Sequence, residues 1–137
     1  MENQQNFEQQ LYQFRYLKEQ RDMYAQQLEI INVSLRDLLT TKSTVENLKD
    51  VKEDDEFLVP IGGRVVINAK IINPKKILLN ITSDTIIEKD LDGAIEFLDK
   101  TIEQHRGQMN FLDTQIQNLD INLQAFSNLL QRGLPQQ

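Results

Sequence analysis

Few residues of this chain could carry out chemistry, and their spacing argues against it. There is a single histidine, His105, and no cysteine. Cysteine-ligated zinc, disulfides and thiol catalysis are thereby excluded. His105 has neither the further ligands of a metal site nor an evident Ser or Asp partner in a pocket, so no catalytic set emerges from the sequence. The run Glu53-Asp54-Asp55-Glu56 gathers four carboxylates but lacks the alternating oxygen ligands and the glycine of a calcium loop. It reads as a solvated linker. Gly62-Gly63 is followed by neither GxGxxG nor GK[ST] and reads as a tight turn, with both glycines free to take positive φ, not as a phosphate cradle. The expectation is no catalytic residue, no metal, no cofactor and no enzyme.

Composition narrows the partners. Of 137 residues 39% are hydrophobic and 7% aromatic, thin for a compact globule, though the length suits one domain. Acidic residues outnumber basic ones 21 to 15, a net charge of −6. Nucleic-acid binding needs the opposite surplus. No 18-residue apolar run exists to span a membrane. Met1-Glu2-Asn3-Gln4-Gln5 has no basic start or apolar core, so no export signal is expected and a cytoplasmic location is the simple reading.

The elements that position these residues are two long helices around a β-rich centre. With Phe7 at heptad position a, Phe14, Arg21, Leu28 and Leu35 follow; position d reads Gln10, Leu17, Tyr24, Ile31 and Leu38. That is a coiled-coil seam, predicted over about 5–49 and roughly 60 Å long. A second seam steps through Leu91, Ile95, Leu98, Ile102, His105, Met109, Leu112, Ile116, Leu119, Leu123, Phe126 and Leu130, predicting a helix over about 91–132. Asp90 is a candidate N-cap, and Gly133 with Pro135 supplies the stop. Gln10 and Arg21 are the polar positions of the first seam, and His105 that of the second. His105 and Arg21 each read as a residue that fixes register at some cost in stability, a pH switch at His105 being the alternative, with Arg21 reaching toward Asp113 or Asp120.

Between the helices, over about 56–89, the period changes to two. Phe57, Val59 and Ile61 alternate, then Val65, Ile67, Ala69 and Ile71, then Ile77, Leu79 and Ile81, and Ile87 closes the last run. Turns at Gly62-Gly63, Asn73-Pro74 and Ser83-Asp84 divide these into four strands in two hairpins. Two helices of similar length bury narrow stripes most directly against each other, antiparallel. Paired positions then sum to about 139 within one helical turn, placing Phe14 near Phe126 and Leu35 near His105. Two short hairpins cannot be stable alone. Other chains must complete the sheet, so obligate oligomerisation is expected from the missing core itself. The fold class is α+β: a long antiparallel coiled-coil hairpin with two β-hairpins at its base.

This order of parts, with Leu58-Val59-Pro60-Ile61-Gly62-Gly63 opening the strands, resembles the alpha class of the prefoldin family. The likeness continues through Ala69-Lys70-Ile71, Asn73-Pro74-Lys75-Lys76 and Asp92-Gly93-Ala94-Ile95-Glu96-Phe97-Leu98, and covers essentially the whole chain. One departure is Asn80-Ile81-Thr82-Ser83-Asp84, where the family has a glycine-containing turn. The resemblance implies a hexamer of two alpha and four beta subunits, whose hairpins join in an intersubunit β-barrel. It further implies coiled-coil tips that hold unfolded or nascent proteins and pass them to a group II chaperonin without ATP. The interface would comprise Val59, Ile61, Gly62, Gly63, Val65, Ile67, Ala69, Ile71, Ile77, Leu79, Ile81 and Ile87.

In the hairpin geometry Phe7, Leu11, Tyr12 and Phe14 gather with Phe126, Leu129, Leu130 and Leu134 at one extremity, where two helices cannot bury them all. They are the candidate client-binding residues. Phe14 and Phe126 suit an ordinary seam equally well. Tyr16, Met23 and Ile30 form a second stripe, either scattered surface residues or the lining of a space between arms. The competing reading is a structural protein that self-assembles through its β-hairpins into a filament or scaffold.

Overall fold

The computed structural model describes residues 2–133. The elements run α1 (Glu2–Asn47), a 3-10 turn (Leu48–Asp50), β1 (Glu56–Gly62), β2 (Val65–Lys70), β3 (Lys76–Thr82), β4 (Thr85–Asp90) and α2 (Leu91–Gly133). The fold is α+β, with two long helices and two antiparallel hairpins, as the periodicities require. The first helix begins earlier and ends earlier than its heptads suggest.

Between α1 and β1 the chain turns through the acidic run. After the 3-10 turn Val51 is extended, at φ −89° and ψ 138°. The Lys52 amide then donates to Asp55 Oδ2 at 2.9 Å, and Asp54 adopts a left-handed φ of 70°. The Asp54 amide donates to the Ile71 carbonyl at 2.9 Å and the Ile71 amide to that of Asp55 at 3.1 Å. Residues 53–56 are therefore exposed, as a linker would be, but they also turn the chain into the first ladder.

The two hairpins are register copies of one another. In the first, Glu56 pairs with Lys70 and Pro60 with Val66; in the second, Lys76 pairs with Asp90 and Asn80 with Ile86. Each ladder then slips by one residue, at Ile61 and at Ile81. These bulges move the turns. Gly62 becomes the last paired residue, opposite Val65, and the turn falls on Gly63-Arg64. The prediction of positive φ at the glycines is thus corrected: neither has it, and Arg64 carries φ 63° instead. A pattern of residue types marks the turn, but a one-residue bulge decides which residue bears the strain. In the second hairpin, Ser83-Asp84 forms the turn, with the Asp84 amide 3.4 Å from Thr82 Oγ1. Between hairpins, Asn73 Oδ1 accepts from the Lys75 amide at 3.1 Å, a local bond typical of an Asn-Pro turn.

Strand β4 passes directly into α2. Asp90 Oδ1 accepts the Gly93 amide at 2.7 Å, the expected N-cap. A Cβ on Gly93 would lie 2.7 Å from that same oxygen, which explains the glycine inside a first helical turn.

Contacts divide the chain into two compact units. One combines α1 up to Leu35 with α2 from Gln104. Its seam buries Leu35, Leu112 and Leu119, and Arg21 Nε donates to Asp120 Oδ1 at 2.9 Å. The other, Arg36–Glu103, holds both hairpins. Its core is Val45, Ala94 and Leu98, against which Leu38, Ile77, Leu79, Leu91 and Ile95 pack. Ala94 is fully buried. A second ion pair, Lys42 Nζ to Asp99 Oδ1 at 2.7 Å, crosses between the helices of this unit. Both pairings fall within one helical turn of the predicted antiparallel register.

Candidate functional site

The hairpin unit has more apolar surface than its own core can use. Side chains alternate faces along a strand, and cross-strand partners share one. In the second hairpin the face of Ile77, Leu79 and Ile87 lies toward the helix bases, and Ile77 and Leu79 pack on the Val45–Ala94–Leu98 cluster of the same chain. These two were expected at an interface; their contacts here are internal. The opposite face presents Leu78, 69% exposed, and Ile86. The alternation passed over these because it counted only one face.

The first hairpin is apolar on both sides. Phe57 and Ile67 are exposed on one, with Val59 and Ala69 half-buried between them; Leu58 and Val66 are exposed on the other. Ile61 and Val65 are exposed around the turn with Gly62 and Gly63, as is Ile81 in the second bulge, whereas Ile71 is half-buried. A groove of about 970 Å³ opens in this unit, lined among others by Leu48, Val51, Phe57, Ile72 and Leu78. Ile72 is 86% exposed beside it. Covering one such Leu or Ile side chain contributes about 1.5–3 kcal/mol, so a partner chain would have ample driving force. Each hairpin also has two unpaired outer edges, ready to accept a further strand.

The helix-pair unit carries the second surface. Phe7, Leu11, Phe14, Phe126 and Leu130 are half-buried, while Tyr12 at 74% and Leu129 are exposed. Leu134 lies outside the described residues. Along α1, Tyr16, Met23 and Ile30 are all exposed, with Val33 beside them. On α2 Phe111 and Ile121 are exposed as well. The heptad reading missed both because they fall between seam positions; being apolar and off the seam was the available signal.

The sequence shows no Ser partner for His105, and the structure corrects this: Ser34 Oγ, on the facing helix, shares a hydrogen bond of 3.0 Å with His105 Nε2. The Asp120 carboxylate, first by its hydrogen bond and then by its charge, raises the Arg21 pKa above its ordinary value. His105 and Arg21 therefore each face a complementary partner on the other helix. Among the described residues no cluster of three or more His, Cys, Asp or Glu is arranged to hold a metal ion. Among the described residues no helix is long and apolar enough to cross a membrane.

The family model for prefoldin subunits matches residues 17–135. The prefoldin subunit alpha of Pyrococcus horikoshii is 30% identical over 76% of this chain and 71% of its own length. That of Methanoregula boonei is 32% identical over 88% of this chain and 80% of its own. Prefoldin subunit alpha 1 of Thermococcus kodakarensis is 32% identical over 69% of this chain, a match spanning 64% of that relative. Among solved structures, a chain of filamentous PFD from Methanocaldococcus jannaschii superposes with a TM-score of 0.72 at 17% identity, covering 83% of this chain and 94% of that one. The prefoldin beta subunit from Thermococcus strain KS-1 gives 0.62, also at 17% identity, covering 96% and 95%. The helical pair, the paired hairpins and these alignments agree: the chain belongs to the prefoldin family, and its sequence aligns with the alpha-class subunits.

Proposed function

We propose that this chain is an ATP-independent co-chaperone subunit. It assembles through its β-hairpins with beta-class subunits and a second alpha copy, two alpha to four beta, holds unfolded or nascent proteins at the ends of its helices, and passes them to a group II chaperonin. The observation that carries this reading is the excess of exposed apolar surface in two separate places. The hairpins offer a two-sided apolar ribbon with open edges, suited to folded partners. The helix ends offer Tyr12 and Leu129 around a half-buried cluster, suited to a client without fixed shape. Several weak ends acting on one client would supply avidity in place of a deep pocket. Release then follows from competition at the chaperonin, with no hydrolysis step and no enzymatic activity.

The test removes residues 1–14 and 126–137 from the chain assembled with a beta-class subunit, and follows aggregation of a denatured protein by light scattering. Assembly should survive while suppression of aggregation is lost. Unchanged suppression would refute the placing of client contact at the helix ends. A second reading, self-assembly through the hairpins into a filament, draws on the similarity to filamentous PFD. Long polymers of the purified chain alone would favour it.

A further inference from the structure

The two lateral sides of the helix-pair unit differ in charge. Take Phe7 of α1 and Ile102 of α2 as heptad position a. Positions c and g of both helices then fall on one side of the pair, and positions b and e on the other, because antiparallel partners set g beside g and e beside e. Over residues 9–34 and 104–129 the c and g positions number sixteen, and none is charged. Of the fourteen b and e positions in the same spans seven are charged, among them Lys18, Asp22, Arg106 and Asp113. Glu19 stands on the outer crest of α1, at position f, and belongs to neither side. Apolar residues divide the same way. Tyr16, Met23 and Ile30 occupy successive c positions of α1, with Phe111 and Leu129 at c and g of α2, all exposed on the uncharged side. Tyr12, Val33 and Ile121 lie on the crests, and none of the unit's exposed large hydrophobics lies on the charged side. Along the uncharged side Gln20 Nε2 donates to Tyr16 Oη at 3.0 Å.

We propose that this uncharged side docks against the same side of a second copy of this chain, so that two copies in one assembly close their helix pairs side by side. Charge selects the occupant. Two copies of net charge −6 repel wherever like charges meet, and this side lets them meet with no charged residue in the contact. Period selects it too. A stripe repeating every seven residues keeps facing a rod of the same pitch, a match that a segment without fixed shape does not need. Two copies joined at their hairpins start from the same end, so the contact is parallel and isologous, and Met23 meets the Met23 of its copy. The face is about 38 Å long and roughly 20 Å wide, on the order of 750 Å² per copy. That is close to the ~800 Å² per partner of a standard interface. Carboxamides fill most of it, so the contact is weak between free chains, and an effective concentration on the order of mM inside one assembly closes it. This inference rests on the proposed assembly with a second alpha copy and adds a contact between the helix pairs.

The chain has no cysteine, so single substitutions report proximity without background. Met23→Cys on the uncharged side and Lys18→Cys on the charged side are each assembled, as full chains, with a cysteine-free beta-class subunit. Native mass confirms each assembly, and mild oxidation is followed by denaturing electrophoresis. Met23→Cys should form disulfide-linked dimers of this chain at least about 10-fold faster than Lys18→Cys, within a particle of unchanged mass. Adding Tyr16→Ser and Ile30→Ser to Met23→Cys should slow the cross-link by a similar factor. Equal rates at the two positions, or no cross-link in an intact particle holding two copies, would overturn the inference and leave the assembly standing. Cross-links that double the particle mass would place the contact between particles and overturn it as well. A particle without a second copy would overturn the proposed assembly, and this pairing with it. Protection of the Met23→Cys thiol from a maleimide by a denatured protein, with no disulfide forming in that protein's absence, would assign the side to client and overturn the pairing.

Discussion

Arg21 and Asp120 meet across the helix pair at 2.9 Å, at a seam position where an apolar side chain would otherwise sit. A polar residue at such a position specifies alignment more than stability. Both side chains are substantially exposed, so the pair is screened by water. Arg21→Leu should therefore raise the melting temperature of the isolated chain, while Asp120→Asn lowers it slightly. A clear fall in melting temperature for Arg21→Leu would show that the ion pair, not packing, dominates there.

Ser34 and His105 form the second polar step of the same unit. Removing one member of a hydrogen-bonded pair costs more than replacing both with apolar groups. Ser34→Ala should destabilise by about 1 kcal/mol or less, and adding His105→Leu should recover that loss or exceed it. Chemical denaturation of the single and double variants measures the coupling; simple additivity would contradict it.

Asp90 and Gly93 give a non-additive case. Gly93→Ala gains about 1 kcal/mol of helix propensity but puts a Cβ onto the capping oxygen, whose loss costs about the same. The substitution should be close to neutral in the natural chain. In an Asp90→Ala background, with no cap left to break, it should stabilise by about 1 kcal/mol.

The hairpin turn reverses the usual expectation for glycine. Gly63 has no positive φ and nothing within 4 Å of its missing Cβ, whereas Arg64 holds φ 63°. In the isolated chain Gly63→Ala should be neutral or stabilise by about 0.4–1 kcal/mol. Arg64→Val, which puts a β-branched side chain in the left-handed region that Arg64 already occupies, should destabilise the chain. Equal effects at the two positions would contradict the turn assignment.

Long-range periodicity made most of this architecture legible. The heptads gave both helices and, through their similar lengths, an antiparallel register that Arg21–Asp120 and Ser34–His105 satisfy within a turn. Asp90 was readable as a cap because its residue type stands just before a regular apolar seam. The bulges at Ile61 and Ile81 were not readable, since alternation continues through them in the sequence. For the same reason the turn was placed one residue early. Leu58, Val66, Leu78 and Ile86 were passed over because period two fixes which residues share a face without saying that both faces are apolar. The internal packing of Ile77 and Leu79 depends on where the helix bases lie, which no local pattern encodes.

Assembly through the hairpins is tested most directly by the native mass of this chain, alone and mixed with a beta-class prefoldin subunit. Mixing should produce one closed complex of two copies of this chain with four of its partner, the exposed hairpin faces being completed by other chains. A chain that stays monomeric in the mixture, with the hairpin faces still accessible to an apolar dye, would contradict it.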